Sequence, residues 1–211
     1  MTATKMKSLC LTGPEVRTLL KTGKLVQFVV MEDGPTGPCR VQWDQDALEF
    51  SHWDTGYEED GVTVACPFAP GERRWVREAW AIVWTKHEPD EGQTIWDVPH
   101  RIEYKADSDA KYPGNWPDDC GDDEECPRWQ SPMHMPRRAS RLTVEVVAVE
   151  AMQIQEASET DVRQMGLAIL PETVHDRPEL WAVLGESWDA AHAKPEEKWD
   201  ANPWCWKVTH D

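Results

Sequence analysis

The stretch Cys66-Pro67-Phe68-Ala69-Pro70-Gly71-Glu72-Arg73-Arg74-Trp75-Val76-Arg77-Glu78-Ala79-Trp80 frames the reading of the whole chain. From Arg74 to Val83 its residues predict a strand, and Val62 to Cys66 predicts another just before it. Successive side chains of a strand point to opposite faces, so Arg73 and Arg77 share one face while Arg74 and Glu78 share the other. One of those faces is a candidate groove lining.

Working outward toward the N-terminus, Thr12 and Gly13 precede Pro14, a favourable first-turn residue, and Val16, Leu19 and Leu20 follow at helical spacing before Gly23. Leu25 to Met31 predicts a strand, bounded by the turn residues Glu32-Asp33-Gly34-Pro35, and Val41 with Trp43 suggests a further one. In the other direction, Arg101 to Ala106 alternates apolar and charged residues as a half-buried strand does, and Leu142 to Val149 predicts the next. Ser158 with Asp161 forms a capping-box pattern opening a short helix through Gly166. Pro178 opens a longer helix carrying Leu180, Trp181, Leu184 and Trp188 on one side, and Trp204 to Val208 closes the chain as a strand. Many short strands with three helices between them predict an α+β fold without a parallel βαβ series. There is no internal repeat.

The 211 residues suffice to bury a core without staples. Thirteen tryptophans against three phenylalanines and three tyrosines imply that indole burial dominates that core, with each N–H seeking a partner. A net charge of −17 opposes non-specific attraction to a phosphate backbone, so any nucleic-acid site must be local. Six dispersed cysteines and no apolar run of signal-peptide or membrane-span length predict free thiols, a cytoplasmic setting and no membrane partner. From Asp107 to Glu125 eight acids face the single base Lys111, the pattern of a solvated loop. Immediately afterwards, Cys126 to Val144 holds Arg128, His134, Arg137, Arg138 and Arg141 and no acid.

The opening stretch is similar to a signature of the ASCH proteins common in phage genomes, a branch of the PUA-like superfamily. Trp129 through Arg141, with Met133-His134-Met135-Pro136-Arg137 and Ala139-Ser140-Arg141, resembles a second block of that family. Trp199-Asp200-Ala201-Asn202-Pro203-Trp204-Cys205-Trp206 resembles a third, and Ile102 to Asp107 the strand between. The likeness covers essentially the whole chain. It implies a single domain over residues 1–211, a small mixed PUA-like β-barrel with flanking helices, and an acidic insertion at 107–126. By kinship it implies recognition of RNA, DNA or a modified nucleotide, without a cofactor.

The chain departs from the family where an amidohydrolase of that superfamily carries its Lys, Thr and Glu. Matching Gly23 to the motif glycine puts Leu25, Val26 and Phe28 at the Lys and Thr positions, whereas a shift of one place restores Lys24 but sets Gln27 at the nucleophile. Met165 stands where the Glu belongs, so nucleophilic catalysis lacks its hydroxyl and its base, and the expectation is a binding module in preference to an enzyme.

Arg137, Arg138 and Arg141, with His134 and Ser140, are the first candidates for contacting phosphate or a base edge, because guanidinium forks match both geometries; the alternative is pairing with the acidic loop or Glu78. Arg73 and Arg77 extend the set, with Glu78 beside them. Trp80, Trp129 and Trp204 are candidates for stacking a base, against ordinary core use, and Asn202 for reading an amide-like edge, against a plain turn. Cys120 and Cys126 are separated by five residues and lack zinc-knuckle spacing, so unremarkable thiols are favoured over a metal site. Two rival readings stay open. One is an amidohydrolase-like enzyme on a modified base or nucleoside, with Lys24 and Glu78 or Cys66 as catalytic groups. The other is an acidic phage protein that binds and inhibits a host protein through Asp118 to Glu125.

Overall fold

The structure, a computed structural model, describes residues 6–31, 39–44, 47–52, 62–87, 95–115, 127–167 and 177–211. In chain order they form β1 (Ser8–Cys10), α1 (Gly13–Thr22), β2 (Leu25–Val30), β3 (Cys39–Asp44), β4 (Ala47–His52), β5 (Val62–Ala65), β6 (Arg73–Arg77), β7 (Trp80–His87), β8 (Ile95–Tyr104), β9 (Thr143–Gln153), α2 (Glu159–Gln164), α3 (Arg177–Ala191) and β10 (Trp204–His210). The fold is α+β, as the pattern predicts. It divides into two compact units, one of Met1–Arg17 with Arg73–Val144, the other of Thr18–Glu72 with Glu145–Asp211.

In the first unit β1 runs parallel to β6, with Ser8 opposite Trp75 and Cys10 opposite Arg77, and β7 pairs antiparallel with β8. The single strand predicted from Arg74 to Val83 is two, because the backbone changes partners at Glu78 and Ala79. Leu11 N–H donates to the Arg77 carbonyl at 2.8 Å, Glu78 N–H donates to the Met135 sulfur at 3.4 Å, and Lys105 N–H donates to the Ala79 carbonyl at 2.8 Å. Trp80 then exchanges both backbone bonds with Gln130. None of those partners is near in sequence, so local periodicity reads straight through the break. The β7–β8 register shifts around Trp84, opposite Pro99, whose missing N–H removes a ladder bond. β8 ends at Tyr104, two residues before the predicted strand end, as Lys105–Asp107 tightens into a 3-10 turn.

Residues 127–141 of this unit are built from turns that proline dictates. Ser131 and Met135 are both extended, as residues before proline must be, and each leads into a 3-10 turn, Pro132–His134 and Arg137–Ala139. The Ser131 hydroxyl accepts from Met133 N–H. Beneath these turns Trp80, Met135 and Ala139 form a buried cluster against which Ile82 and Tyr104 pack.

In the second unit β10 is central, antiparallel to β2 on one side and β9 on the other, with Trp206 opposite both Val29 and Ala151. β3, β4 and β5 form a separate antiparallel meander. β1 and β4 add to the predicted strands; one has only three residues, and the other carries an alternation of only two large apolar positions, Leu48 and Phe50. Barrel closure requires every edge to be paired. Among the described residues no sheet closes, since β2 remains an edge strand and the meander pairs only within itself. The closed barrel that the resemblance implies is therefore not formed by these residues.

A central strand buries both faces, and β10 does so. Trp206 and Val208 join Met31, Val64 and Val146, while Cys205 joins Ile154 and Trp188. In α3, Leu180, Leu184 and Trp188 recur every four residues along the buried stripe, as predicted, and Leu180 and Leu184 pack with Ala157 and Val162 of the α2 region. Burial also pushes the Cys205 thiol up to about 12, which keeps it protonated and inert.

The predicted capping box at the start of α2 is present. Asp161 accepts from the Ser158 hydroxyl at 2.7 Å and from its N–H at 3.0 Å, and Lys207 of β10 bridges Asp161 and Glu150 at 2.9 Å each. Burial opposes the Asp161 charge, but hydrogen bonds from Ser158 and Lys207 outweigh it and hold the carboxyl below its usual value of 3.8. A depressed folded value adds stability that is complete above the unfolded pKa and is lost as pH falls through the folded one. Asp161→Asn is therefore expected to cost about 1–2 kcal/mol near neutral pH. Urea midpoints measured down a pH series should show that cost shrinking below about pH 4; a difference that stays constant to the acid end would refute the assignment.

Candidate functional site

Three residues of the first unit, Glu78, Tyr104 and Asp107, meet around Arg141. Its Nε and Nη2 donate to Oε1 and Oε2 of Glu78, both at 2.9 Å. Its Nη1 and Nη2 donate to Oδ2 and Oδ1 of Asp107 at 2.5 and 2.8 Å. The guanidinium carbon lies 4.0 Å from the centre of the Tyr104 ring, and the Tyr104 hydroxyl donates to the Ala139 carbonyl at 2.8 Å. Exposure falls sharply across the cluster, from 50% for the Asp107 side chain to 25% for Arg141 and 1% for Glu78.

Burial alone would weaken the charge on Arg141, but the hydrogen bonds to Asp107 and Glu78 more than offset it and raise its pKa further. Tyr104 is shifted up by burial, with Arg141 opposing and the two carboxylates adding. Arg141 is thus committed to two acids. Glu78, named as a candidate catalytic group, is held bidentately in the interior, and Lys24, named beside it, is exposed in the other unit, where its side chain has no partner among the described residues.

The remaining basic candidates of this unit are placed differently. Arg77 donates to the Met133 carbonyl at 3.2 Å and lies over the Trp75 ring at 4.7 Å, which sets its head beside the exposed Met133-His134 turn. Arg137 reaches the Met6 sulfur at 3.6 Å. Arg73, Arg128, His134 and Arg138 are exposed, and among the described residues their side chains have no hydrogen-bond or ion-pair partner. Ser140 is structural: its hydroxyl lies 2.7 Å from the Val76 carbonyl and 3.0 Å from that of Leu142.

The aromatic candidates take core positions. Trp80 is 5% exposed, so its faces are covered by the Met135 and Ala139 cluster and no base stacks there. Trp129 is half-buried, donates its Nε1–H to the Ala110 carbonyl at 3.3 Å and carries Lys105 over its ring. In the second unit, Trp204 packs against the Trp206 cluster. Asn202 adopts a left-handed conformation at φ 48° and its side-chain oxygen accepts from Gln155 N–H at 3.0 Å, which assigns it to a turn. Cys120 and Cys126, and the acids from Asp118 to Glu125, lie outside the described residues.

Tyr104 and Asp107 are the members of the cluster that sequence reasoning did not single out. Asp107 stood only at the head of the acidic run, and nothing local marks it as the partner of a residue 34 positions later. The chain matches no protein-family model, no curated protein and no solved structure. No helix among the described residues is long and apolar enough to cross a membrane.

Proposed function

We propose that this chain is a phage-encoded, PUA-like module that binds RNA or DNA, or a modified nucleotide, through the basic turn segment from Arg128 to Arg138 together with Arg77. One observation carries the reading. In a chain of net charge −17, the side chains of Arg128, His134 and Arg138 project into solvent without a carboxylate partner among the described residues. Arg77 and Arg137 are anchored by a carbonyl and a thioether, neither of which neutralises charge. Exposed basic side chains clustered on one segment of an acidic chain are the electrostatic footprint of a phosphate ligand. The proline-set turns suit the task because they fix the backbone while long side chains stay free to find phosphate oxygens. The ASCH likeness of the same segment points the same way.

Titration of labelled single- and double-stranded RNA and DNA at low salt tests the reading. The double substitution Arg137→Ala with Arg138→Ala is expected to weaken binding about tenfold or more and to lower the slope of log affinity against log salt by about two. Absence of binding to every polymer, or binding indifferent to both substitutions, would refute it.

A further inference from the structure

We propose that the outer edge of Arg141 is a receptor for a phosphate monoester, the terminal phosphate of a nucleotide or of a polynucleotide end, and that Asp107 is the group this phosphate displaces. The proposal rests on the nucleic-acid reading above and names the part of the ligand recognised.

A guanidinium offers two bidentate edges, and here they are used unequally. The Nε and Nη2 edge is closed by Glu78, which is 1% exposed. The Nη1 and Nη2 edge faces Asp107, which is 50% exposed. With Glu78 behind it and Tyr104 under its face, Arg141 keeps its plane whether or not Asp107 is in place. That is a preorganised anion fork. Two phosphoryl oxygens fit the same pair of N–H groups that the two Asp107 oxygens occupy.

Asp107 has the character of a displaceable stand-in. Among the described residues Arg141 is the sole side-chain partner of its carboxylate. Glu103 nearby shows the structural alternative, since its carboxylate accepts a backbone bond from Gly114 at 2.7 Å and pins a loop. Asp107 pins none. The Asp107 side chain is open to solvent on one side, so an anion in solution can compete for the same two N–H groups, the more readily as salt screens the pair.

Charge selects which anion. A tethered carboxylate carries one negative charge and has the advantage of proximity, so a phosphodiester with the same single charge gains nothing by exchange. A monoester carries about −1.5 to −2 at neutral pH and does gain. The fork therefore distinguishes a chain end or free nucleotide from the interior of a polymer, and binding should rise with pH through the second phosphate ionisation near about 6.

The test is titration of the full chain, at low salt, with AMP against adenosine and with one oligoribonucleotide bearing a 5′-phosphate, a 3′-phosphate or hydroxyl ends only. A phosphorylated ligand is expected to bind about tenfold tighter than its hydroxyl counterpart, the free-nucleotide and polymer arms showing which source is used. Asp107→Asn, a surface change that leaves the Glu78 pair intact, should tighten AMP binding about three- to tenfold. Arg141→Lys keeps the charge but loses the fork, and should erase the preference for phosphate, with a thermal melt reporting that the fold persists. Unchanged AMP affinity in Asp107→Asn, or equal binding of phosphorylated and hydroxyl ends, would overturn the receptor. If equal binding of the ends still falls with Arg137→Ala and Arg138→Ala, the receptor fails while the nucleic-acid reading stands. If AMP binding strengthened by Asp107→Asn occurs with no polymer binding, the receptor stands and the nucleic-acid reading fails.

Discussion

Arg141→Met will destabilise the protein by about 3–5 kcal/mol. The reason lies on the buried side of the fork. Glu78 is 1% exposed and its two side-chain oxygens are bonded to Arg141, so removing the guanidinium strands a carboxylate in the interior. The Glu78 backbone N–H is already used by the Met135 sulfur, and no other donor to its side chain is found among the described residues. Part of the cost is lost packing, since the Arg141 side chain also covers the Tyr104 ring. The double variant Glu78→Met with Arg141→Met is expected to regain most of the loss, because a buried pair replaced by apolar groups of similar size is often near neutral. Asp107→Ala should change stability by less than about 1 kcal/mol, because the carboxylate it removes is half-exposed and Arg141 stays paired with Glu78. Denaturant midpoints for the four proteins check the set; equal losses in the Arg141 and Asp107 variants would show that the inner edge of the fork is no more important than the outer.

The second large effect is expected at Trp206. It is 2% exposed on the central strand and packs with Met31, Val64, Val146 and Val208. Trp206→Ala removes the largest side chain from a cluster that rigid neighbouring strands cannot collapse to fill, with an expected cost of about 3–5 kcal/mol. Leu20→Ala, at a residue that is 50% exposed, should stay within about 0.5 kcal/mol. Thermal or urea unfolding distinguishes them, and a Trp206 loss as small as that of Leu20 would mean that the second unit's core does not centre on β10.

The elements legible in the sequence are those specified by neighbours along the chain. Thr12 and Gly13 before Pro14, with Gly23 at the far end, bound α1; in the structure the Thr12 hydroxyl donates to Glu15 at 2.7 Å and Gly23 takes φ 70°. Ser158 and Asp161 open α2 by the same kind of local bond. The apolar stripe of α3 and the β-branched run of β2 are periodic over enough residues to announce themselves. The break between β6 and β7 left no such mark, because its cause is the arrival of Met135, Lys105 and Gln130 from distant positions.

The candidate site divides along the same line. Sequence alone determined that positive charge is concentrated from Arg128 to Arg141 in an acidic chain, since charge and composition survive any folding of the backbone. Tertiary structure decided which of those charges remain available. It closed the inner edge of Arg141 with the buried Glu78 and left the outer edge against the half-exposed Asp107, placed Trp80 in the core, and left Arg128, His134 and Arg138 exposed. Burial and pairing depend on which atoms meet across 63 or 34 residues of chain, and those meetings are set by packing, which no local pattern encodes.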